Sequence, residues 1–190
     1  MGRIVVTEFV SLDGVMEAPG GEPGYAHSGW TTDVEGDDHF AYKLEELMES
    51  DALLLGRVTY ESFAGAWPER DDEAGFAAKM NAMPKYVVSS TLDEVSWENS
   101  QLLQGDVVES VRRLRDEVDG LILVAGSRTL VHTLLENDLV DELRLMVFPV
   151  VLGSGGRVYP ESERKLPLEL SDTRRYESGV VVSVYRRRRS

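Results

Sequence analysis

Cysteine is absent from this chain of 190 residues. Its absence excludes a disulfide framework, a thiolate metal site and a cysteine nucleophile. Histidine is nearly as scarce, and His27, His39 and His132 are too scattered along the sequence to predict a metal site. We therefore expect no bound metal.

Long apolar runs and basic residues are also in short supply. No apolar stretch approaches the roughly eighteen residues of a membrane span, and Glu8 comes too early for the core of a signal peptide. Twenty basic against thirty-four acidic residues give a formal net charge of −14, which repels a nucleic-acid backbone and an anionic membrane. We expect a cytoplasmic protein without nucleic-acid or membrane partners, and expect the run Arg186–Arg189 to be a solvated tail.

The sequence that is present predicts one α/β domain over residues 1–190. Apolar runs typical of strands alternate with segments of helical periodicity, and a hairpin closes the chain. The predicted strands cover residues 3–10, 51–55, 85–89, 121–125, 143–151, 168–176 and 180–186, and the predicted helices include 40–48, 107–118 and 127–136. This order predicts a mixed, mostly parallel sheet flanked by helices. Pro149 argues for a bulge or a sheet edge in the run 143–151.

Two segments join a strand to a helix through glycine. They are LLLGRVTYESF (53–63) and LILVAGSRTLVHTLL (121–135). Backbone N–H groups at such a helix N-terminus favour an anion. Two junctions of this kind in one small domain predict an extended, phosphate-bearing cofactor.

Ordered motifs give the chain a wider resemblance. The motifs are IVVTEFVSLDGVM (4–16), DALLLGRVTYESF (51–63), PKYVVSSTL (84–92), LILVAGSRTLVHTLL (121–135) and VDELRLMVFPVVLGSGGRVYP (140–160). The set resembles the dihydrofolate reductase superfamily over about residues 3–186. Its S-L-D-G and P-V-V-L-G-S-G elements look like the branch that holds the reductase domain of the bifunctional deaminase-reductase of riboflavin synthesis. The resemblance implies a three-layer fold and NADPH as cofactor. The apolar strand 143–151 and the alternating hairpin 168–186 offer more sheet surface than two or three helices can cover, and reductases that the chain resembles commonly pair there, so we expect a homodimer.

Cofactor contacts are expected at the first junction and at the end of the strand 85–89. Gly56 lets the backbone approach an anion, while Arg57 and Thr59 can donate to phosphate oxygens; alternatively, Arg57 is a surface residue and Thr59 a cap. The resemblance assigns the 2′-phosphate of NADPH to the triplet Ser89, Ser90 and Thr91, although a plain strand-end turn is the alternative. Ser90 stands where the superfamily often has arginine, so NADPH need not be strongly preferred over NADH.

The second junction is assigned by the same resemblance to the pyrophosphate and nicotinamide. Its residues are Gly126, Ser127, Arg128 and Thr129. True dihydrofolate reductases have Gly-Gly here. Ser127 keeps the residue small but makes an unusual peptide geometry less certain.

Candidate substrate-side residues lie in the first forty positions. Asp13 follows the first strand at its carboxyl end, where it could pass a proton or orient substrate; an Asx turn with Gly14 is the equal alternative. Ser28 and Trp30 resemble a Ser-x-Trp loop that contacts substrate and nicotinamide, although Trp30 could instead fill the core. Asp37 could bind a pterin after a small register shift, or simply begin a helix.

Three functions remain open from the sequence. The leading interpretation is an NADPH-dependent reductase of a pyrimidine- or pteridine-like molecule, with 5-amino-6-(5-phosphoribosylamino)uracil as the substrate that the resemblance implies. The second is a non-catalytic nucleotide-binding module. A true dihydrofolate reductase is disfavoured, because counting back from Gly56 to the pterin-binding acid of that family lands on Phe40.

Overall fold

A computed structural model describes residues 1–188. They form one eight-stranded sheet in the order β4-β3-β2-β5-β1-β6-β8-β7. The strands are β1 (Arg3–Ser11), β2 (Ala52–Gly56), β3 (Lys85–Val88), β4 (Ser100–Leu103), β5 (Leu121–Val124), β6 (Glu142–Phe148), β7 (Leu168–Arg175) and β8 (Val181–Arg187). Strands β1 to β6 run parallel, and the β7–β8 hairpin pairs antiparallel to β6. The predicted mixed, mostly parallel α/β fold is confirmed.

Helices cover both faces of this sheet. They are α1 (Phe40–Met48), α2 (Arg57–Ala66), α3 (Phe76–Ala82), α4 (Val107–Glu117) and α5 (Arg128–Glu136), and a short 3₁₀ turn spans Trp30–Asp33. The carboxylate of Asp106 accepts a hydrogen bond from the backbone N–H of Glu109 and so begins α4 as an N-cap.

Strand alternation divides the core into two layers. One face of the sheet carries Ile4, Val6, Leu54 and Ile122, and it packs against apolar residues of α4 and α5. The opposite face packs against α1, α2 and α3 through residues that include Val5, Leu53, Leu123, Leu47, Tyr60 and Met80. Because successive strand side chains point to opposite faces, an unbroken apolar strand predicts two covered faces.

The structure differs from the prediction at three elements. Strand β6 ends at Phe148 instead of residue 151, because Pro149 has no N–H to donate to a ladder. Helix α3 and strand β4 lie within stretches that the sequence left unassigned. Strand β4 is only four residues long and none of them is fully buried, so it carries little periodic signal.

The C-terminal arginines do not form a wholly solvated tail. Arg186 donates to Glu142, and Arg187 pairs with Asp138, both from β8. Both side chains are exposed, as predicted. The prediction of a tail was wrong for these two residues, because β8 extends through Arg187 and aligns them with acidic neighbours. Arg189 lies outside the described residues.

Candidate functional site

A cleft of about 1180 Å³ opens at the carboxyl edge of the sheet. Its floor includes Leu53 of β2, Leu123 of β5 and Thr7 of β1. Strands β2 and β5 are neighbours, yet the chain leaves β2 toward β3 on one side and leaves β5 toward β6 on the other. Such a reversal of direction is where open α/β sheets bind ligands.

The two glycine junctions meet at this reversal. A Cβ added to Gly56 would lie 2.1 Å from the hydroxyl of Ser127, and one added to Gly126 would lie 2.8 Å from that of Thr59. Gly126 also has a φ of +85°, a conformation that favours glycine. A side chain at either position would collide with the other junction, so both positions require glycine. The Gly126–Ser127 peptide bond is cis, although residue 127 is a serine and not the second glycine of dihydrofolate reductases.

Helices α2 and α5 begin at these junctions without a side-chain cap. Gly56 and Ser127 occupy the N-cap positions, and neither gives a side-chain hydrogen bond to the first turn. The uncapped N–H groups and the helix dipoles favour an anion at this place. Thr59, Ser127, Arg128 and Thr129 all line the cleft, as the sequence predicted for ligand contact.

The two junction arginines are not equivalent. Arg57 pairs with Glu61 on its own helix at 2.9 Å and does not line the cleft. Arg128 does line it, and its guanidinium lies 3.6 Å from Glu17 on the opposite rim. The structure therefore favours Arg128 over Arg57 as the cation that faces a bound phosphate.

The triplet Ser89, Ser90 and Thr91 lies at the same edge of the sheet, just beyond β3. Ser89 accepts hydrogen bonds from the backbone N–H groups of Thr91 and Leu92, so its oxygen organises a turn. Ser90 and Thr91 are exposed. The triplet lies beyond β2 and outside the cleft lining, so its role in binding the adenosine end stays a prediction.

Asp13 is engaged in a structural role. Its carboxylate accepts hydrogen bonds from the Ser11 hydroxyl and from the backbone N–H groups of Leu152 and Gly153. The Ser11 hydrogen bond and then the backbone bonds lower the pKa of Asp13 to about 2, so it carries no proton near neutrality. Asp13 also lies outside the cleft lining, which disfavours proton transfer. The Val15 N–H that an Asx turn would use donates to the Ser11 hydroxyl instead, so Asp13 fixes the turn through Leu152 and Gly153.

Trp30 and Ser28 hold the long loop in place and do not line the cleft. The indole of Trp30 is buried edge-on against Phe148 and donates to the carbonyl of Glu17. Ser28 donates to the carbonyl of Glu22. Core packing thus accounts for Trp30, and the cofactor contact stays a prediction for a residue that lies outside the cleft lining. The cleft is lined by the loop segments around them, including Glu17 and Tyr25.

Asp37 is exposed and its backbone carbonyl accepts from Phe40 at the start of α1. It does not line the cleft. The structure favours the alternative, an acidic residue before a helix, and the substrate contact at Asp37 stays a prediction. An acid of α1 does reach the cleft, but it is Glu46, two turns further along.

Glu46 belongs to a buried polar cluster that the sequence analysis missed. It accepts from Lys43 at 2.5 Å and from the Thr7 hydroxyl at 2.9 Å, and Lys43 also donates to Thr7 at 2.7 Å. On its other side Glu46 faces Arg144 of β6 at 3.4 Å. Two cations thus neutralise a fully buried carboxylate.

Glu8, the neighbour of Thr7 on β1, is the second missed residue. It lines the cleft, yet its side chain is only 8% exposed and its Oε1 atom has no hydrogen-bond partner among the described residues. Burial raises the pKa of Glu8 to about 8, although Lys43 and a backbone hydrogen bond from Gly126 act to lower it. The signal in the sequence was an acid inside an apolar strand, close to its carboxyl end.

The cleft walls are largely apolar. Phe9, Phe40, Leu44, Val58 and Phe63 line it, which suits a flat ring. At one end the Trp67 ring stacks on Phe76 with centroids 5.0 Å apart, and the guanidinium of Arg70 lies 4.8 Å from the Trp67 centroid. Arg70 is a cation of the cleft that sequence reasoning also missed.

Residues 1–188 bring together no group of three or more histidine, aspartate or glutamate side chains suited to a metal ion. No helix within this range is long and apolar enough to cross a membrane.

The sheet order and the cleft define the class of protein as an α/β protein of the dihydrofolate reductase type. Within that class the chain belongs to the RibD C-terminal domain family, whose model matches residues 3–182. It is thus a member of a reductase family. Two Bacillus subtilis proteins, YyaP and YwjB, are 28% and 27% identical over 96% and 94% of this chain, and 94% of each is covered. Both are uncharacterised.

Solved structures confirm the fold. A protein from Shewanella sp. PV-4 assigned to riboflavin biosynthesis has a TM-score of 0.74 at 23% identity, covering 98% of this chain and 99% of that one. A pyrimidine reductase-like protein from Corynebacterium diphtheriae has 0.69 at 14%, covering 99% and 92%. Dihydrofolate reductase from Enterococcus faecalis, complexed with NADP(H), has 0.62 at 16%, covering 98% and 97%.

Proposed function

We propose that this protein is an NADPH-dependent oxidoreductase that reduces a pyrimidine- or pteridine-like small molecule in the cytoplasm. The observation that carries the proposal is the meeting of two uncapped helix N-termini, α2 and α5, at the rim of one large cleft. The family supports a reductase, and the Enterococcus faecalis neighbour is complexed with NADP(H).

The residues present fit a dinucleotide in three ways. First-turn N–H groups of α2 and α5, together with Thr59 and Arg128, would hold the phosphates. The triplet 89–91 lies at the same sheet edge for the adenosine end. The floor near Thr7, Glu8 and Gly126 combines an unpartnered carboxyl oxygen with an apolar wall, which suits a polar ring. NADPH bound there would supply a hydride.

The chain itself supplies orientation and a dry environment. Phe9, Phe40 and Leu44 can pack against the faces of a heterocycle, and the loop around Tyr25 covers the opposite rim. Excluding water in this way strengthens every polar contact within the cleft. Arg70, held against Trp67, offers a charged fork for a phosphate on the substrate.

The substrate that the family suggests is 5-amino-6-(5-phosphoribosylamino)uracil. The C. diphtheriae neighbour is described as pyrimidine reductase-like, and a ribose phosphate would suit Arg70. A pteridine shares the flat, nitrogen-rich ring and is the other candidate for the same cleft.

Binding and turnover test the proposal separately. We expect calorimetric titration to show saturable binding of NADPH, and NADH to bind only modestly more weakly because Ser90 offers no guanidinium. NADPH absorbance should then fall when the phosphoribosylamino-uracil is added. Absence of NADPH binding would overturn the proposal.

Binding without any turnover would support the alternative, a nucleotide-binding module without catalytic activity. Dihydrofolate serves as the third arm. It should be a poor substrate, because the acid that α1 presents to the cleft, Glu46, is already occupied by Lys43 and Arg144.

A further inference from the structure

Lys85 of β3 is a fully buried lysine that the proposed function does not use. Its ammonium group donates to the backbone carbonyls of Asn81 and Met83, at 2.8 Å each, and lies 4.4 Å from the centroid of the Trp97 ring. Burial lowers the pKa of Lys85 to about 8, although Glu98 acts to raise it. A buried charge is costly even when it is hydrogen-bonded, so packing alone does not explain a lysine at this position.

Lys85 holds the C-terminal end of α3. The last carbonyl groups of a helix have no partner within it and carry partial negative charge. Asn81 lies in the last turn of α3 and Met83 is its C-cap, so the two carbonyls that bind the ammonium group are of this kind. Asn99, just before β4, adds a hydrogen bond to the carbonyl of Ala82 at 3.0 Å. The end of α3 is therefore fastened to the sheet.

Asn81 connects this fastened end to the cleft. Its Oδ1 atom accepts from the indole N–H of Trp97 at 2.8 Å, and its Nδ2 atom donates to the backbone carbonyl of Trp67 at 3.1 Å. Because Trp67 is the C-cap of α2, the Asn81 amide fixes the end of α2 against the end of α3. Trp67 lines the cleft, whereas Asn81, Lys85 and Trp97 lie behind it.

The part of the cleft that these contacts hold is an aromatic wall made of Trp67, Arg70 and Phe76. Phe76 begins α3 and stacks on Trp67, and the carboxylate of Asp72 accepts from the backbone N–H groups of Phe76 and Ala77. The exposed Arg70 lies over the Trp67 ring, and its backbone N–H donates to the Trp67 carbonyl at 3.1 Å. The carbonyl that Asn81 binds thus carries Arg70 as well, so its place decides where the guanidinium lies.

We propose that Lys85 and Asn81 are positioning residues, which hold the aromatic wall from behind and so set the affinity of the cleft for an anionic substituent of the substrate. The inference rests on the proposed reductase function and adds the residues that set specificity at this end of the cleft. Neither residue touches the ligand. An arginine side chain loses rotamer freedom when it binds an anion, and a wall that holds Arg70 in advance lowers this cost.

The first test is a double-mutant cycle, read out by calorimetric titration with ribose 5-phosphate in the absence of cofactor. We expect Arg70→Met and Asn81→Leu each to weaken binding about tenfold. The double variant should bind no more weakly than Arg70→Met, because Asn81 acts through Arg70. Losses that add in the double variant, wild-type affinity in Asn81→Leu, or no binding to wild type would overturn the inference.

The second test removes the buried ammonium group. Lys85→Met should weaken binding of ribose 5-phosphate to about the same extent as Asn81→Leu, because both release the Trp67 end of α2. Lys79→Met is the matched control, since Lys79 also lies on α3, is half-buried and does not line the cleft. An equal loss in Lys79→Met would overturn the inference. If Lys85→Met does not fold, Asn81→Leu decides alone, because it keeps the lysine and both carbonyls that the lysine binds.

Kinetics separate positioning from a general loosening of the fold. With the phosphoribosylamino-uracil, Asn81→Leu should raise KM about tenfold and leave kcat and NADPH affinity close to the wild-type values. NADPH affinity should hold because the cofactor is proposed to bind at the N-terminus of α2, at the opposite end of the helix from Trp67. A matching loss of NADPH affinity would overturn the inference. If wild type binds ribose 5-phosphate but oxidises no NADPH, the proposed function fails and the double-mutant cycle still decides the positioning role.

Discussion

Glu8 makes the stability of the fold depend on pH. Its pKa is raised from 4.5 to about 8 by burial, so between these values the folded protein keeps a proton that the unfolded chain releases. The free energy of unfolding therefore falls as pH rises through this window, by up to about 1.4 kcal/mol per pH unit. Above pH 8 the penalty is constant.

We expect Glu8→Gln to remove this dependence. The variant should gain stability relative to wild type between pH 5 and pH 9, as measured by urea unfolding at several pH values. Glu45→Gln, which changes an exposed acid of α1 that pairs with Arg174, should follow the wild-type curve. Parallel curves for wild type and Glu8→Gln would show that the carboxyl ionises normally.

Arg128 and Arg57 make a matched pair at the two junctions, since each is the first residue of its helix. Arg128 lines the cleft and Arg57 does not. We expect Arg128→Ala to weaken NADPH binding roughly ten- to a hundredfold, the value of one charge-assisted hydrogen bond. Arg57→Ala should have the smaller effect, because its guanidinium is engaged by Glu61. Calorimetry on both variants decides the order, and a larger loss in Arg57→Ala would restore the prediction made from sequence.

At the scale of elements, the contact between the junctions is the feature to test. A Cβ at Gly56 would lie 2.1 Å from the Ser127 hydroxyl, which must then move. We expect Gly56→Ala to lower the melting temperature and to weaken NADPH binding at least tenfold, because it separates the N-termini of α2 and α5.

Gly65 is the control for this substitution. It lies in α2, and an added Cβ would meet no atom within 4 Å. Gly65→Ala should raise stability by up to about 1 kcal/mol through helix propensity and leave NADPH affinity unchanged. If Gly56→Ala and Gly65→Ala had the same melting temperature and the same NADPH affinity, close contact between the two junctions would not be needed for binding.

Helix α1 is fastened to the sheet by Glu46. Its buried carboxylate binds Thr7 of β1 and faces Arg144 of β6, with Lys43 beside it. Removing one partner of a buried ion pair typically costs 3–5 kcal/mol. We expect Glu46→Gln to lower the free energy of unfolding by about 3 kcal/mol in urea titrations. Glu49→Gln, at the exposed C-cap of α1, should change it by less than about 0.5 kcal/mol, because its carboxylate is solvated and lies 3.9 Å from Arg144.

At the scale of the whole molecule, the homodimer stays a prediction, but the structure does not show the apolar sheet surface from which it was argued. The sequence argument required apolar sheet surface on the strand 143–151 and on the hairpin. In the structure β6 is hydrogen-bonded to β1 along one edge and to β8 along the other. The edge strand β7 is exposed and mostly polar. Leu170, 52% exposed, is the large apolar residue that β7 presents.

If the hairpin edge forms the dimer interface, Leu170→Arg should convert the dimer to a monomer in light scattering at micromolar concentration. The fold should be unaffected, since the side chain is already solvated. A wild-type monomer would contradict the dimer, and a dimer that survives Leu170→Arg would move the interface elsewhere.

The sequence by itself determined the fold class, the covered faces of the sheet and the two junctions. These follow from local patterns: apolar runs, helical periodicity and a glycine between strand and helix need no knowledge of distant residues. Thr59 was identified as a ligand contact because it lies close to Gly56, and Ser127, Arg128 and Thr129 because their motif resembles the superfamily's; all four line the cleft.

Only the tertiary structure decided which carboxyl groups are available for chemistry. Asp13 meets Leu152 and Gly153 across about 140 positions of sequence, and these contacts hold it ionised. Thr7 meets Glu46 across 39 positions, and Glu8 becomes buried beside the Gly126 turn. The pKa and the hydrogen-bond partners of a side chain depend on every neighbour in space, and that information does not lie in any local stretch of the chain.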